Sequence, residues 1–333
     1  MFDLLQLAEE IIAGRRLTRE DALDQFITCD LETLCTGADR IRDALCGDKV
    51  DLCTIINGKS GRCSEDCKFC TQSAFHNTAC ETYDFLDPDD IVAEAKSNEA
   101  DGVDRFAIVT AAKTLKGKDF EKAIATFERL KAECKLDLCA SMGLLTPEQL
   151  HRLHEAGVTS YHENIETSKR NFPNICTTHT YDDKIRTIKA AQAEGLCVCS
   201  GGIIGMGETW EDRIDMAISL AELGIQSIPI NALMPIPGTP LEALRSLSEE
   251  EILRTVAFFR YINPTANIRL AAGRGLMDRD GVRAFQSGAS ATITGNMLTT
   301  AGSTIQSDRE MLTSIGREVI TDYESGVTNC GCH

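Results

Sequence analysis

The chain has 333 residues, of which 43% are hydrophobic and 26% charged, as expected of a globular protein with one large core. Its formal net charge of −17 argues against nucleic acid as a partner, because binding to a phosphate backbone depends on Lys and Arg. No apolar run approaches the roughly 20 residues of a membrane span, and the opening residues carry acids instead of a basic signal segment. We therefore expect a cytoplasmic protein that binds small metabolites, with no nucleic acid and no membrane among its partners.

Apolar, β-branched segments recur along the chain, and each is followed by a stretch with helical periodicity. After a helical segment at 1–48, strands are predicted at 50–57, 105–112, 136–143, 158–166, 196–204, 225–233, 267–273 and 290–296, with a last helix near 307–324. Eight strand-then-helix units in one series predict a (β/α)8 TIM barrel. An open, doubly wound sheet is the alternative, since periodicity does not show closure.

These elements divide the chain into three parts. They are an N-terminal helical extension at 1–48, a barrel at 49–324, and a tail at 325–333 that contains a Cys-Gly-Cys sequence. Within the barrel, helix starts are predicted at Asp87, Thr146 and Ser248, because each is an N-cap residue followed by Pro or by acids.

Three of the fifteen cysteines lie in the loop after the first predicted strand. The sequence SGRCSEDCKFCTQS places Cys63, Cys67 and Cys70 in a C-x3-C-x2-C run, on the face where barrel enzymes carry their active sites. Thiolates so spaced suit zinc or an iron–sulfur cluster. A structural zinc needs a fourth ligand that is not adjacent here, whereas a 4Fe–4S cluster on three cysteines keeps one iron open.

Other cysteines stand singly among apolar neighbours. We interpret these as small core side chains: Cys29, Cys35, Cys46, Cys53 and Cys134.

The three-cysteine run resembles that of the radical S-adenosylmethionine enzymes, whose open iron binds the cofactor's amino and carboxylate groups. This implies cleavage of S-adenosylmethionine to a 5′-deoxyadenosyl radical, with Phe69 near the adenine. Later segments resemble the biotin synthase family in particular: YHENIET, CSGGIIGMGET, SIPINALMPIPGTPL, NIRLAAGR and GNMLTT. Members of that family insert sulfur between two saturated carbons of dethiobiotin and consume two cofactor molecules per product.

The resemblance also implies roles for single residues on the cofactor side. Gly201 and Gly202 are expected beside the methionine part of the cofactor, where glycine permits close approach. Asn164 and Glu166 alternate along the fourth predicted strand and are expected to point inward to the cofactor. Glu166 stands where the family usually has Asp, one methylene shorter.

On the substrate side, Asn231 matches an asparagine that binds the ureido ring of dethiobiotin, and Thr299 and Thr300 match donors to its carboxylate. A buried amide needs partners even without a substrate, so a structural role for Asn231 is the alternative. For the two threonines the alternative is a helix N-cap.

Typical family members hold a second, auxiliary iron–sulfur cluster, 2Fe–2S, as the sulfur donor, on three cysteines and one arginine. Cys139, Cys199 and Arg269 match three of these positions. The fourth, on the second strand, is Ala107, which cannot bind iron. The alternative for Arg269 is a buried ion pair with a carboxylate such as that of Glu166.

Three places offer a replacement thiol: the pair Cys330 and Cys332 in the tail, Cys80 beyond the cysteine loop, and Cys197 one layer below Cys199. We favour the tail pair, as ligands of an altered cluster with more than two irons.

The resemblance further implies a flavodoxin or ferredoxin-type reductant and the iron–sulfur assembly machinery as partners, and homodimerisation is common in the family. Two other functions are kept open. One is a related radical barrel enzyme that matures the iron-iron hydrogenase or makes methylornithine. The other is a binding protein that senses metal or redox state without turnover.

Overall fold

The computed structural model describes residues 3–298 and 302–319. The strands are Lys49–Lys59 (β1), Arg105–Thr110 (β2), Asp137–Ser141 (β3), Ser160–His162 (β4), Cys197–Cys199 (β5), Gly202–Ile204 (β6), Ser227–Ala232 (β7), Asn267–Leu270 (β8), Ala291–Ile293 (β9) and Glu318–Val319 (β10). The α-helices are Leu4–Ile12 (α1), Gln25–Thr28 (α2), Leu31–Cys46 (α3), Pro88–Ala100 (α4), Gly117–Glu133 (α5), Pro147–Glu155 (α6), Phe172–Ile175 (α7), Tyr181–Ala193 (α8), Trp210–Glu222 (α9), Glu249–Ile262 (α10), Val282–Phe285 (α11) and Ile305–Ser314 (α12). Short 3-10 turns occupy Arg274–Leu276 and Asp278–Gly281.

The sheet closes on itself. Neighbouring strands are parallel in the order β1, β2, β3, β4, β5, β7, β8, β9, and β9 pairs back onto β1. The structure therefore confirms the (β/α)8 barrel, and the open sheet is wrong. In such a barrel the side chains of alternate strand residues fill the interior, and the loops after the strands form one face.

Several predicted elements are shorter in the structure or end elsewhere. The strand expected at 158–166 is confined to Ser160–His162. The strand expected at 196–204 is interrupted after Cys199, because the backbone at Gly201 passes so close to Pro229 that a Cβ there would lie 2.0 Å from the Pro229 carbonyl oxygen. The last helix ends at Ser314, where Gly316 takes a φ of 75° and turns the chain into β10. β10 then pairs with the first residues of β1.

The predicted helix starts are confirmed. The side chains of Asp87, Thr146 and Ser248 each accept a hydrogen bond from a backbone N–H in the first turn of α4, α6 and α10. Each such cap stabilises the protein by about 1 kcal/mol.

The N-terminal helices share the hydrophobic core of the barrel. α3 packs against α1 and α10, and buried residues such as Leu7, Phe26 and Ile41 belong to the same core cluster as the barrel helices. Within the described ranges, no helix is both long enough and apolar enough to cross a membrane.

Candidate active site

Two adjoining cavities occupy the interior and the mouth of the barrel. The inner one has a volume of about 350 Å³ and the outer one about 190 Å³. They share lining residues, among them Phe69, Cys70, His162, Asn164 and Glu166. A continuous space therefore runs from the loop after β1 to the floor of the barrel.

The predicted cysteines of the loop all line the outer cavity. The loop is held in shape by backbone hydrogen bonds, in which the N–H of Cys63 donates to Gln72 at 2.9 Å and that of Cys70 to Cys67 at 2.9 Å. Burial raises the pKa of the Cys63 thiol, and it raises that of Cys70 to about 11. Without metal these thiols are protonated at neutral pH, and binding of iron would release their protons.

A second group of ligand-type side chains lies against Cys67. The Sγ atom of Cys176 is 3.7 Å from that of Cys67, and Nδ1 of His179 is 3.2 Å from Cys176 Sγ and 2.6 Å from a carboxylate oxygen of Glu65. This group was not predicted from the sequence, although the C-x2-H spacing of Cys176 and His179 is a metal-ligand signal. His179 and Glu65 line the outer cavity together with Cys67, so the group belongs to the same cavity as the cysteine loop.

The wall beside the loop is formed by Phe69, Asn164 and Glu166. β4 ends at His162, so Asn164 and Glu166 follow the strand, and Glu166 has a positive φ of 67°. Oδ1 of Asn164 accepts a hydrogen bond from the backbone N–H of Gly201 at 3.0 Å. Both side chains line the cavity, as expected from the sequence.

One carboxylate oxygen of Glu166 is buried and has no hydrogen-bond partner among the described residues. Oε1 lies 3.8 Å from Nζ of Lys184, whereas Oε2 has no hydrogen-bond partner in the described part of the chain. Burial raises the pKa of this carboxyl. Buried polar atoms in native proteins are normally paired. Such an acceptor beside an aromatic ring and a three-thiol loop suits the ribose hydroxyls and adenine of S-adenosylmethionine.

Gly201 and Gly202 do not line either cavity. A Cβ on Gly202 would lie 2.4 Å from the carbonyl oxygen of Glu166 and 2.4 Å from Sδ of Met216. The two glycines are thus required by close contacts, Gly201 with Pro229 on β7, and Gly202 with the backbone of Glu166 and with Met216 on α9. Their contact with the methionine part of the cofactor stays a prediction.

We expect Gly202→Ala to lower the free energy of unfolding by about 1–3 kcal/mol, because backbone atoms must move to admit the methyl group. The matched control is Gly275→Ala, where a Cβ would meet nothing within 4 Å and where we expect a change below about 0.5 kcal/mol. Urea denaturation of both variants tests this. Equal midpoints would show that the close contacts at Gly202 relax at no cost.

Asn231 bridges two parts of the wall. Its Nδ2 donates to the carbonyl of Gly202 at 3.1 Å, and its Oδ1 accepts from the N–H of Ala272 at 3.2 Å. The amide therefore has the structural role that the sequence analysis left as an alternative. It also lines the inner cavity, and each of its polar atoms retains the capacity for one more hydrogen bond.

Cys139, Cys199 and Arg269 meet at the floor of the inner cavity, as predicted. Burial by itself would raise the pKa of the Cys199 thiol. Hydrogen bonding to His162 and the nearby charge of Arg269 outweigh burial and lower this pKa to about 7. His162 was missed by the sequence analysis, although inward alternation with Asn164 along YHEN would have placed it in the cavity.

Arg269 forms a buried ion pair, but its partner is Asp51. The alternative of a buried ion pair is therefore confirmed, but the prediction that Glu166 is the partner is wrong. Nη2 of Arg269 lies 2.9 Å from Asp51, and Arg105 approaches the same carboxylate at 3.5 Å. Two buried guanidinium groups therefore share this carboxylate, so an anionic sulfide-containing cluster would find compensating positive charge at the floor.

The remaining candidates for the missing thiol have different surroundings. Ala107 lines the inner cavity on β2, as expected. Cys80 lies 3.5 Å from the hydroxyl of Ser60, beside the cysteine loop and away from the floor. Cys197 begins β5, level with Ser160, and does not line the cavity.

Four predicted site residues lie outside the described residues: Thr299, Thr300, Cys330 and Cys332.

The closed parallel barrel and the three-thiol loop after its first strand define the class of radical S-adenosylmethionine enzymes. The family model "Radical SAM superfamily" matches residues 59–220, and the model "Biotin and Thiamin Synthesis associated domain" matches residues 229–318. The chain is 63% identical over 311 residues to a biotin synthase of Clostridium beijerinckii, covering 93% of this chain and 98% of that protein. It is 64% identical over 314 residues to one of Alkaliphilus metalliredigens, covering 94% and 99%. The chain belongs to the biotin synthase family.

Solved structures share the fold. A methylornithine synthase superposes with a TM-score of 0.81 at 21% identity, covering 94% of this chain and 97% of that one. The hydrogenase maturase of Carboxydothermus hydrogenoformans gives 0.76 at 16% identity, covering 95% and 79%. At these identities the likeness concerns the barrel alone, so the alternative functions suggested by the fold are not favoured over that of the biotin synthase family.

Proposed function

We propose that this chain converts dethiobiotin to biotin by inserting sulfur between two saturated carbons. The observation that carries the proposal is the continuous cavity from the three-thiol loop to a second group of thiols at the floor. A substrate in this space lies between a radical source and a sulfur source. When bound, the 4Fe–4S cluster and S-adenosylmethionine supply the 5′-deoxyadenosyl radical, and the auxiliary cluster supplies sulfur.

The protein's contribution is to bind, orient and exclude water. Cys63, Cys67 and Cys70 hold the first cluster, and Phe69 with Glu166 holds the nucleoside of the cofactor. Apolar side chains such as those of Ile55, Val109, Ile203 and Ile293 line the inner cavity together with Asn231. They keep water from the radical, while the amide fixes the polar ring of the substrate.

At the floor, Cys139, Cys199 and Arg269 hold the auxiliary cluster. Arg269 stays charged because Asp51 lies beside it, so it would present a cation to an anionic cluster bound at the floor. Thr299 and Thr300 remain our proposal for the donors to the substrate carboxylate.

The experiment that tests the function is an anaerobic incubation of the cluster-loaded protein with dethiobiotin, S-adenosylmethionine and a low-potential reductant. Mass spectrometry follows biotin and 5′-deoxyadenosine. We expect both products, at about two deoxyadenosines per biotin. Deoxyadenosine without biotin would refute sulfur insertion into this substrate, and neither product from protein with verified clusters would refute the radical reaction.

Replacing Glu166 by glutamine should weaken binding of S-adenosylmethionine by about 10–100-fold, because a hydrogen bond to a charged acceptor contributes roughly 1.5–3 kcal/mol. Equilibrium dialysis with the cofactor measures this directly. The control is Glu155→Gln, since Glu155 is exposed on α6. Equal affinity in the Glu166→Gln variant would remove this residue from the cofactor site.

We retain Cys330 and Cys332 as proposed further ligands of an auxiliary cluster with more than two irons. Serine at both positions should reduce the iron bound at the auxiliary site and the yield of biotin, while S-adenosylmethionine cleavage continues. Unchanged iron content and biotin yield in the double variant would contradict this role.

The remaining proposals concern organisation and partners. They are the division into residues 1–48, 49–324 and 325–333, reduction by a flavodoxin or ferredoxin, reloading by the iron–sulfur assembly machinery, and a homodimer.

A further inference from the structure

The floor of the barrel has a third thiol that the family resemblance does not assign. Cys53 on β1 is 6% exposed and packs in one small cluster with Ala107 and Cys139, apart from the main core. It lines the inner cavity together with Cys199 and Arg269. In the sequence it stands singly in an apolar strand, which is typical of an incidental core side chain.

The register of the barrel explains why Cys53 faces inward. Asp51, Cys53 and Ile55 alternate along β1, and strand residues two apart share a face. Asp51 contacts Arg269, and Ile55 pairs in register with Ala107 on β2. Cys53, two residues before Ile55, is therefore beside the position where the family's thiol is missing.

The surroundings of Cys53 point to a ligand. Among the described residues, the one hydrogen-bond contact of its Sγ atom is weak, at 3.5 Å from the carbonyl oxygen of Thr54. Arg269 is 2% exposed and lines the same space, and its Nη2 contacts Asp51 without the alignment of a hydrogen bond. Arg105 lines the same cavity and also approaches Asp51. The floor therefore has three thiols, those of Cys53, Cys139 and Cys199, and two buried cations, Arg105 and Arg269.

We propose that Cys53 supplies the thiolate that Ala107 cannot, so that Cys53, Cys139, Cys199 and Arg269 form a four-ligand site for the auxiliary iron–sulfur cluster. This inference rests on the proposed function, since it concerns the sulfur donor of that reaction. On binding, the S–H bond of Cys53 is replaced by an S–Fe bond, and its proton passes to the buffer. Cys330 and Cys332 would then not be needed to replace the thiol that is missing at Ala107.

The test counts auxiliary iron alone. In a parent variant with Cys63→Ala, Cys67→Ala and Cys70→Ala, iron and sulfide bound after anaerobic reconstitution belong to the floor site. We expect Cys53→Ala in this parent to weaken iron binding by about 10–100-fold and to change the Mössbauer spectrum. The matched control is Cys134→Ala, since this half-buried cysteine is the C-cap residue of α5 and lines neither cavity.

A rescue variant separates ligation from packing. Adding Ala107→Cys to Cys53→Ala restores a third thiol to the floor, and we expect it to recover most of the iron. If Cys53→Ala does not fold, Cys53→Ser keeps the volume of the side chain, and an oxygen ligand there would shift the iron charge-transfer absorption. Full iron with an unchanged spectrum in either variant would overturn the proposal.

The outcome is distinguishable from failure of the proposed function. Loss of auxiliary iron in Cys53→Ala supports the ligand even if the intact enzyme makes no biotin. Conversely, biotin formation by an enzyme whose auxiliary iron is independent of Cys53 supports the function and refutes the ligand.

Discussion

Alanine at Cys70 is expected to abolish the formation of both 5′-deoxyadenosine and biotin, with rates falling more than about a thousandfold. The reason is that the loop offers three thiols to the first cluster, and two cannot hold it with one iron open to the cofactor. Cys63→Ala and Cys67→Ala should have the same effect. Quantifying deoxyadenosine after anaerobic reconstitution measures it.

The control is Cys80→Ala, because Cys80 lies beside the same loop but outside the C-x3-C-x2-C run. It should cleave S-adenosylmethionine at the parent rate. A Cys70→Ala variant that keeps a tenth of the parent activity would mean that another thiol takes over. Cys176, 3.7 Å from Cys67, would be the one to replace next.

The second large effect is expected on stability. Asp51→Asn leaves Arg105 and Arg269 buried without the carboxylate that they share, and breaking such an ion pair costs about 3–5 kcal/mol. Urea unfolding of the cluster-free protein at neutral pH measures the loss. Asp89→Asn is the control, since Asp89 is 81% exposed in its ion pair with Arg129 and should change stability by less than about 0.5 kcal/mol.

The loss should depend on pH in a defined direction. Burial raises the pKa of the Asp51 carboxyl, but the charges of Arg269 and Arg105 outweigh this and hold the pKa below its ordinary value. The unfolded chain therefore takes up a proton at a higher pH than the folded one. The contribution of Asp51 is complete above the ordinary carboxyl range and is lost as the pH falls through the lowered pKa. The stabilities of the parent and Asp51→Asn should converge in acid, and a constant difference would contradict this account.

The sequence predicts the fold well because its signals are local. Each of the eight barrel strands is an apolar run bounded by turn residues, and the caps at Asp87, Thr146 and Ser248 depend on side chains within one helical turn. The position of the cysteine loop follows from its place after β1. The convergence of Cys139, Cys199 and Arg269 follows from inward alternation on three strands of a closed barrel.

Cys176 with His179, and His162, have local signals in the sequence, whereas the other features that were not predicted depend on pairs of distant residues. In the sequence, Asp51 is a single acid in an apolar strand, and nothing near it indicates its partners. Arg105 and Arg269 lie beside it because of the strand register of the closed barrel. Cys53 looks like a core residue for the same reason. The break after Cys199 arises from the close approach of Pro229 on the neighbouring strand β7, which no local pattern near Gly201 indicates.

The pairing of β10 with β1 brings the last described residues close to the buried ion pair at the floor. Val319 pairs with Val50, next to Asp51, at the end of the barrel opposite the cysteine loop. The cysteine loop follows the other end of β1. The two groups of thiols therefore depend on opposite ends of one strand: the loop on the last residues of β1, and the floor on its first residues and on β10.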